Sequence, residues 1–261
     1  MKIAVLAAAA LAAASLLPAH AILTRADRDD EEYVELATRY PTALGLGAQG
    51  GVGVLVAPRW ILTAAQAAAT LRPKSRIAVA GSPREIQEVF LHPGWKAASG
   101  PDLALVLLRD PVEGIEPTPV YRQADEAGMT ARVVGTGGTG RIGTAGGRPD
   151  GKARAAINTI DRVTDVTLGL RLKGPEDASD LQGALGPGDA GAPAFFEVGG
   201  RILVAGVASR TEDSNGDGIA GSIGDWEVFT RASAYAAWID DVVGKVAAAE
   251  AAAIVGDTDP R

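Results

Sequence analysis

The sequence contains no cysteine among its 261 residues and only two histidines, His20 and His92. The absence of thiols excludes disulfides, thiolate zinc sites and cysteine nucleophiles. If His20 is removed with an amino-terminal leader, His92 is the only histidine left, and one imidazole cannot build a multi-histidine metal centre. Basic residues are also scarce, because 25 lysines and arginines stand against 32 acidic residues and leave a formal net charge of −7. This balance disfavours binding to nucleic acid or to an anionic membrane.

The only long apolar run lies at the amino terminus. Lys2 precedes residues 3–17, which are nearly all Ala, Leu, Ile and Val, and Ala19-His20-Ala21 follows. This run is too short to span a bilayer comfortably, and the small-x-small ending is typical of a signal-peptidase site. We therefore predict a signal peptide over residues 1–21 and a mature chain over residues 22–261. That chain would be secreted or periplasmic, without a membrane span.

Beyond the leader, many short apolar runs are separated by glycine and proline. The chain has 33 glycines and 15 prolines, most of them between these runs. Predicted strands cover residues 52–57, 60–64, 76–80, 85–91, 103–108, 131–135, 153–160, 163–170, 193–198, 201–209 and 226–230. Strands with turn signals and no helices between them favour an all-β barrel or sandwich.

Two segments that are not strands complete the predicted organisation. Residues 27–40 read as a short surface helix or an irregular arm, and the alanine-rich residues 232–255 read as a carboxy-terminal helix. The proline-rich residues 110–119 are the best boundary between two halves. We therefore predict a first unit over residues 41–118 and a second over residues 119–231.

Three short blocks carry a family resemblance. They are Trp60-Ile61-Leu62-Thr63-Ala64-Ala65-Gln66, Pro101-Asp102-Leu103-Ala104-Leu105-Val106 and Gly188-Asp189-Ala190-Gly191-Ala192-Pro193. Supporting matches are Leu91-His92-Pro93, Gly206-Val207-Ala208-Ser209, Val228-Phe229-Thr230-Arg231, Tyr235 and Trp238-Ile239. In this order they resemble the signature blocks of the trypsin/chymotrypsin-like serine peptidases. The resemblance implies an all-β fold of two six-stranded barrels followed by a carboxy-terminal helix.

Two of the three catalytic positions implied by this resemblance are replaced. Asp102 occupies the aspartate position, but Gln66 stands at the histidine position and Ala190 at the serine position. An amide does not titrate near neutral pH and a methyl group cannot attack a carbonyl. Loss of such a triad removes about 10⁶-fold in turnover. His92 cannot substitute, because it matches a structural His-Pro position of the family.

Other parts of the family's machinery are retained in outline. The backbone amides of Gly188 and Ala190 match the oxyanion-hole donors, which do not depend on side chains. Asp189 matches the buried carboxylate that pairs with a new amino terminus in active members. Signal-peptide removal would expose Ile22, so we predict that the Ile22 ammonium pairs with Asp189.

The resemblance also implies a specificity pocket. A count without gaps puts its base at Ala184, an uncharged position, so the pocket is not expected to select Lys or Arg. Ser209 and Arg210 match the segment that pairs with extended substrate by β-augmentation. Arg210 replaces the aromatic residue that is common there. The expected partner is a peptide or protein segment in the cleft between the barrels.

Two further motifs have simpler explanations. Residues 135–140 satisfy GxGxxG and Asp161 follows, but residues 141–152 are too rich in glycine and proline to form the helix of a dinucleotide site. A turn is therefore favoured there.

The second motif resembles the first half of a calcium-binding loop. Asp213, Asn215 and Asp217 copy its first ligands, but Gly224 replaces the bidentate glutamate at position twelve. A solvated hairpin tip is favoured, while a weak calcium site with Asp225 as an extra ligand stays open.

Three functional hypotheses follow from these observations. The first is an exported, non-catalytic homologue that acts by binding. The second is a serine endopeptidase with residual or non-standard activity in the same cleft. The third is a calcium-dependent interaction module. The missing His and Ser favour the first and third, and the retained Gly188, Asp189 and Asp102 favour the first.

Overall fold

The computed structural model describes residues 22–47, 51–79, 81–97, 100–147 and 150–257; the predicted signal peptide lies outside them. The strands are β1 Leu23–Thr24, β2 Ala43–Gly45, β3 Val52–Ala57, β4 Trp60–Thr63, β5 Arg76–Val79, β6 Ser82–Leu91, β7 Ala104–Leu108, β8 Thr130–Gly135, β9 Arg154–Thr159, β10 Arg162–Val163, β11 Thr167–Arg171, β12 Gly183–Ala184, β13 Pro193–Val198, β14 Arg201–Glu212 and β15 Trp226–Arg231. The α-helices are α1 Asp30–Ala37, α2 Ala65–Ala68 and α3 Ala236–Asp257.

The first six-stranded sheet has the order β2-β3-β4-β7-β6-β5, and all of its neighbours are antiparallel. Strand β7 is buried at all five positions, as its uninterrupted apolar sequence predicts. Apolar residues on the two faces of β7 enter two different core clusters. The strand is therefore packed on both faces and anchors the loop that precedes it.

The second sheet has seven strands in the order β10-β11-β15-β14-β13-β8-β9. Phe195, Phe196 and Phe229 are fully buried in its core. The predicted strand over residues 163–170 is divided, because the Thr164 amide donates to the Thr167 carbonyl and closes a tight turn between β10 and β11. The all-β class with two barrel-like sheets and a carboxy-terminal helix is confirmed, with one more strand than predicted in this sheet.

An amino-terminal arm is fastened to the second sheet. Strand β1 pairs antiparallel with β12, and α1 begins at a capping box formed by Asp29 and Glu32. The side chain of Arg154 on β9 is 2% exposed and forms paired hydrogen bonds with the carboxylates of Asp30 and Asp150. These contacts join the arm to the barrel that carries most of the cleft.

The carboxy-terminal segment packs against the first sheet. A turn of 3-10 helix, Ala232–Tyr235, leads into α3, whose alanine-rich sequence favours helix. Arg59, in the β3–β4 turn, forms two hydrogen bonds with Glu250 on α3. No helix in the described part of the chain is both long and apolar enough to cross a membrane.

Candidate functional site

An open cavity of about 600 Å³ lies where the two sheets meet. Gln66 contributes to it from the first sheet's side. The second sheet's side is formed by residues 185–190 and 208–211, and Ile219 lies at its edge, 41% exposed. The structure thus brings together six of the residues singled out in the sequence, which are Gln66, Gly188, Asp189, Ala190, Ser209 and Arg210.

Asp102 is held at the cavity by three donors. It precedes β7, is 7% exposed, and accepts hydrogen bonds from the Gln66 amide (2.9 Å), the Gln66 side chain (2.6 Å) and the Ser209 hydroxyl (2.8 Å). Its own carbonyl accepts from the Thr230 hydroxyl. Both carboxylate oxygens therefore accept hydrogen bonds, and the carboxylate orients Gln66 and Ser209.

Gln66 lies on α2, the four-residue helix directly after β4. Its Nε2 donates to Asp102 Oδ2 at 2.6 Å and to the Ser209 carbonyl at 2.5 Å. Both partners are acceptors, so the nitrogen side of the amide faces Asp102 and its two protons are used. The side chain is exposed on the cavity side and has no group able to take a proton near neutral pH.

The backbone of the Gly188–Ala190 loop is held in a defined conformation. Gly188 has φ +100°, a conformation that favours glycine, and its carbonyl accepts from the Gly51 amide at 3.0 Å. The Ala190 carbonyl accepts from the Val52 amide at 2.8 Å. Within the described residues, the N–H groups of Gly188 and Ala190 have no acceptor. These two N–H groups, the predicted oxyanion donors, thus make no hydrogen bond with the described residues and lie beside the methyl group of Ala190.

Asp189 is buried beneath this loop. It is 1% exposed, and its Oδ2 accepts from the Gly186 amide at 3.1 Å. Its Oδ1 lacks a hydrogen-bond partner among the residues that the structure describes, and a Cβ on Gly135 would collide with it. Burial raises the pKa of Asp189 to about 8, against the opposite effect of the Gly186, Gly137 and Thr136 amides. Gly135, from the GxGxxG decoy, therefore makes room for a carboxylate and not for a nucleotide.

Ile22, at the start of the arm, packs against β12, the strand that contains Ala184. Ile22 is fully buried, and a Cβ on Gly183 would lie 2.6 Å from Ile22 Cγ2. Ala184 is fully buried and pairs with Leu23 in the β1–β12 ladder. In the intact chain the Ile22 nitrogen belongs to a peptide bond, so its pairing with Asp189 remains a prediction.

Glu227, an acidic residue behind the cavity wall, was not among the site residues predicted from the sequence. It lies on β15, is 1% exposed, and accepts from the Leu185 amide (3.2 Å) and the Thr211 hydroxyl (2.8 Å), two residues that line the cavity. Burial raises the pKa of Glu227 to about 8, and the nearby Asp189 and Asp225 raise it further. A lone acidic residue within an apolar strand was the available signal. Ala184, the predicted base of the pocket, is not among the residues that line the cavity, whereas Glu227 contacts two residues that do.

The Arg210 side chain is engaged outside the substrate-pairing role that the family resemblance implies for its position. Its guanidinium is 56% exposed and pairs with Glu212 at 2.7 Å, while Ser209 is drawn to Asp102. Strand β14 continues past the predicted end at residue 209, and Arg210 pairs with Val228 of β15. The segment of residues 208–211 lines the cavity in an extended conformation, as β-augmentation requires.

In the loop of residues 213–225, which has calcium-like spacing, the carboxylates accept hydrogen bonds from groups of the loop itself. Asp213 accepts from the Gly216 and Gly218 amides. Asp225 is fully buried and accepts from three amides of the loop. The Asn215 side chain donates to Asp217 at 2.9 Å. Among the described residues no group of three or more His, Cys, Asp or Glu is arranged to hold a metal ion.

His92 lies away from the cavity, between the rings of Tyr235 and Trp238 at 5.1 and 4.9 Å. Its Nδ1 accepts from the Gly94 amide, and burial lowers its pKa. These contacts agree with a structural histidine.

Comparison with known proteins agrees with this arrangement of sheets and cleft. The family profile described as Trypsin matches residues 35–239, which include both sheets, the cavity and the start of α3. No curated protein matches the chain. Because the profile covers well over half of the sequence, the chain belongs to the trypsin family.

Proposed function

We propose that this protein is an exported member of the trypsin family that binds a polypeptide segment in its cleft without hydrolysing it. The observation that carries the proposal is the environment of Gln66. Its amide donates to Asp102 and to the Ser209 carbonyl, where a peptidase needs an imidazole that can take a proton. Ala190 offers no nucleophile opposite it.

The geometry of the cleft supports binding. The N–H groups of Gly188 and Ala190 are unused within the described chain, and Arg210 and Thr211, beyond the Ser209 carbonyl that accepts from Gln66, offer extended strand for β-augmentation. The exposed Ile219 adds apolar surface at the edge. A segment of extended polypeptide has the carbonyls, amides and side chains that such a cleft accommodates.

Export follows from the amino-terminal sequence, and it would create the mature terminus at Ile22. Among the described residues, Oδ1 of the buried Asp189 has no hydrogen-bond partner, which supports the pairing proposed for that terminus. A new ammonium group would supply the positive charge that Asp189 lacks among the described residues.

The test is an assay of the mature protein, residues 22–261, with casein and with ester substrates, each with and without calcium. We expect no hydrolysis above a buffer control under any condition, with an active trypsin as positive control. Inhibitor-sensitive hydrolysis would contradict the proposal and favour the endopeptidase alternative. A calcium-dependent gain of stability or binding would favour the calcium-dependent module, which the loop's self-satisfied carboxylates do not support.

A further inference from the structure

The side-chain oxygen of Gln66 gives the cleft a selectivity that goes beyond loss of catalysis. We propose that Gln66 Oε1 accepts a hydrogen bond from a backbone N–H of the ligand, so that the cleft selects an intact amide over a free carboxylate. This inference rests on the proposed binding function and specifies which chemical group that function recognises.

The first step is the orientation of the Gln66 amide. Nε2 carries two protons, and both are used, by Asp102 Oδ2 at 2.6 Å and by the Ser209 carbonyl at 2.5 Å. The flipped amide would place Oε1 against two acceptors, Asp102 Oδ2 and the Ser209 carbonyl, and would lose both hydrogen bonds. Oε1 is therefore directed away from Asp102, and within the described residues no donor satisfies it.

The second step is the pattern of groups around the cavity. Gly188 and Ala190 contribute two backbone N–H donors, and Gln66 contributes an acceptor. The carbonyls of Gly188 and Ala190 are already bonded to the amides of Gly51 and Val52. A peptide unit carries one carbonyl and one N–H. With its carbonyl on the two donors, its N–H is free to bond Gln66 Oε1, so all of its polar groups are satisfied.

The same arrangement of two donors and one acceptor disfavours a free carboxylate. A carboxylate has acceptors only, so an oxygen on the two donors leaves the other facing Gln66 Oε1, which is also an acceptor. An imidazole at this position would behave differently, because its protonated form donates to a carboxylate. The glutamine thus makes the cleft unfavourable for the free-acid end that hydrolysis of a peptide would produce.

The experiment compares two forms of one probe set. Acetylated tripeptides ending in each of the twenty residues are made as carboxamides and as free acids, and their dissociation constants are measured on the mature protein. We expect the carboxamide of a binding sequence to bind at least about tenfold more tightly than its acid, the effect of one lost hydrogen bond. Equal or tighter binding of the acid overturns the selectivity and leaves the binding function intact. If no peptide binds in either form, the proposed binding function itself fails.

Variants separate the contribution of Gln66 from the general negative charge around the cavity. Gln66→Met keeps the length of this exposed side chain and removes the acceptor together with the Nε2 donor, so the amide preference should fall below about threefold. A preference that survives in Gln66→Met contradicts the inference. Gln123→Met, at an exposed position outside the cavity, is the matched control and should keep the preference.

Gln66→His supplies a second readout that a purely structural role of Gln66 would not produce. At about pH 5 the imidazole is protonated and donates, so the acid should gain relative to the amide; at about pH 7 it is mostly neutral and the amide preference should return. The parent protein should show the same preference throughout the range from about pH 5 to 7, because glutamine does not titrate. A Gln66→His variant with no pH-dependent change in preference would contradict the assignment.

Discussion

The buried carboxyl group of Glu227 should make the protein less stable as the pH rises. The side chain is 1% exposed, has no cationic partner among the described residues, and has a pKa raised to about 8 from an ordinary value of 4.5. Between these two values the folded protein keeps a proton that the unfolded chain has lost. Folding therefore becomes less favourable as the pH rises through this window, and the effect ends below the lower and above the upper value.

The size of the effect follows from proton linkage. One proton held only by the folded state costs about 1.4 kcal/mol of unfolding free energy per pH unit. From about pH 5.5 to 7.5, Glu227 alone should therefore remove about 2.7 kcal/mol. Glu227→Gln keeps an acceptor for the Leu185 amide but does not titrate, so its stability should lack this slope.

The assay is urea unfolding followed by tryptophan fluorescence at several pH values across this window. Glu212→Gln is the matched control, because Arg162 and Arg210 lower the pKa of Glu212. Its stabilising effect is complete above its unfolded pKa and is lost only as the pH falls below it, so it should not change the slope. Parallel pH profiles for the parent and Glu227→Gln would refute the reasoning.

Two further predictions concern the amino-terminal arm. Arg154→Met should lower the unfolding free energy by about 3 kcal/mol or more, because the carboxylates of Asp30 and Asp150 lose a buried partner. Arg122→Met, which breaks an exposed ion pair, is the control and should cost less than about 1 kcal/mol. Equal losses of unfolding free energy in urea would contradict this prediction. One extra residue before Ile22 of the mature protein should lower its melting temperature, since blocking the pair with Asp189 costs about 3–5 kcal/mol. An unchanged melting temperature in calorimetry would contradict the pairing.

Much of the fold could be predicted because the apolar pattern of the central strands is strong. Strands β3 and β13 have the predicted limits, and β7 and β15 differ from theirs by one residue. The short β1–β12 ladder could not be predicted, since two-residue strands leave no periodic signal and their pairing depends on contacts about 160 residues apart. Helix α2 was not predicted for the same reason, because it is only four residues long.

The sequence allowed the positions of the site residues to be predicted, but not the hydrogen bonds between them. The blocks around Gln66, Asp102 and Ala190 indicated which residues meet at the cleft. They could not indicate that the Gln66 amide would have two acceptors, because one of these is a backbone carbonyl on a distant strand. Glu227 was missed because burial of an acidic residue depends on the tertiary packing of Leu185 and Thr211 around it.

The most direct measurement of the central claim is labelling by a fluorophosphonate probe, followed by intact-protein mass, on the parent, Gln66→His, Ala190→Ser and the double variant. Asp102 is available to orient an introduced imidazole, and the backbone donors at positions 188 and 190 need no rebuilding. We predict that only the folded double variant gains the mass of the probe. Labelling of the parent, or a folded double variant that stays unlabelled, would contradict the claim that these two replacements alone separate this cleft from a working peptidase.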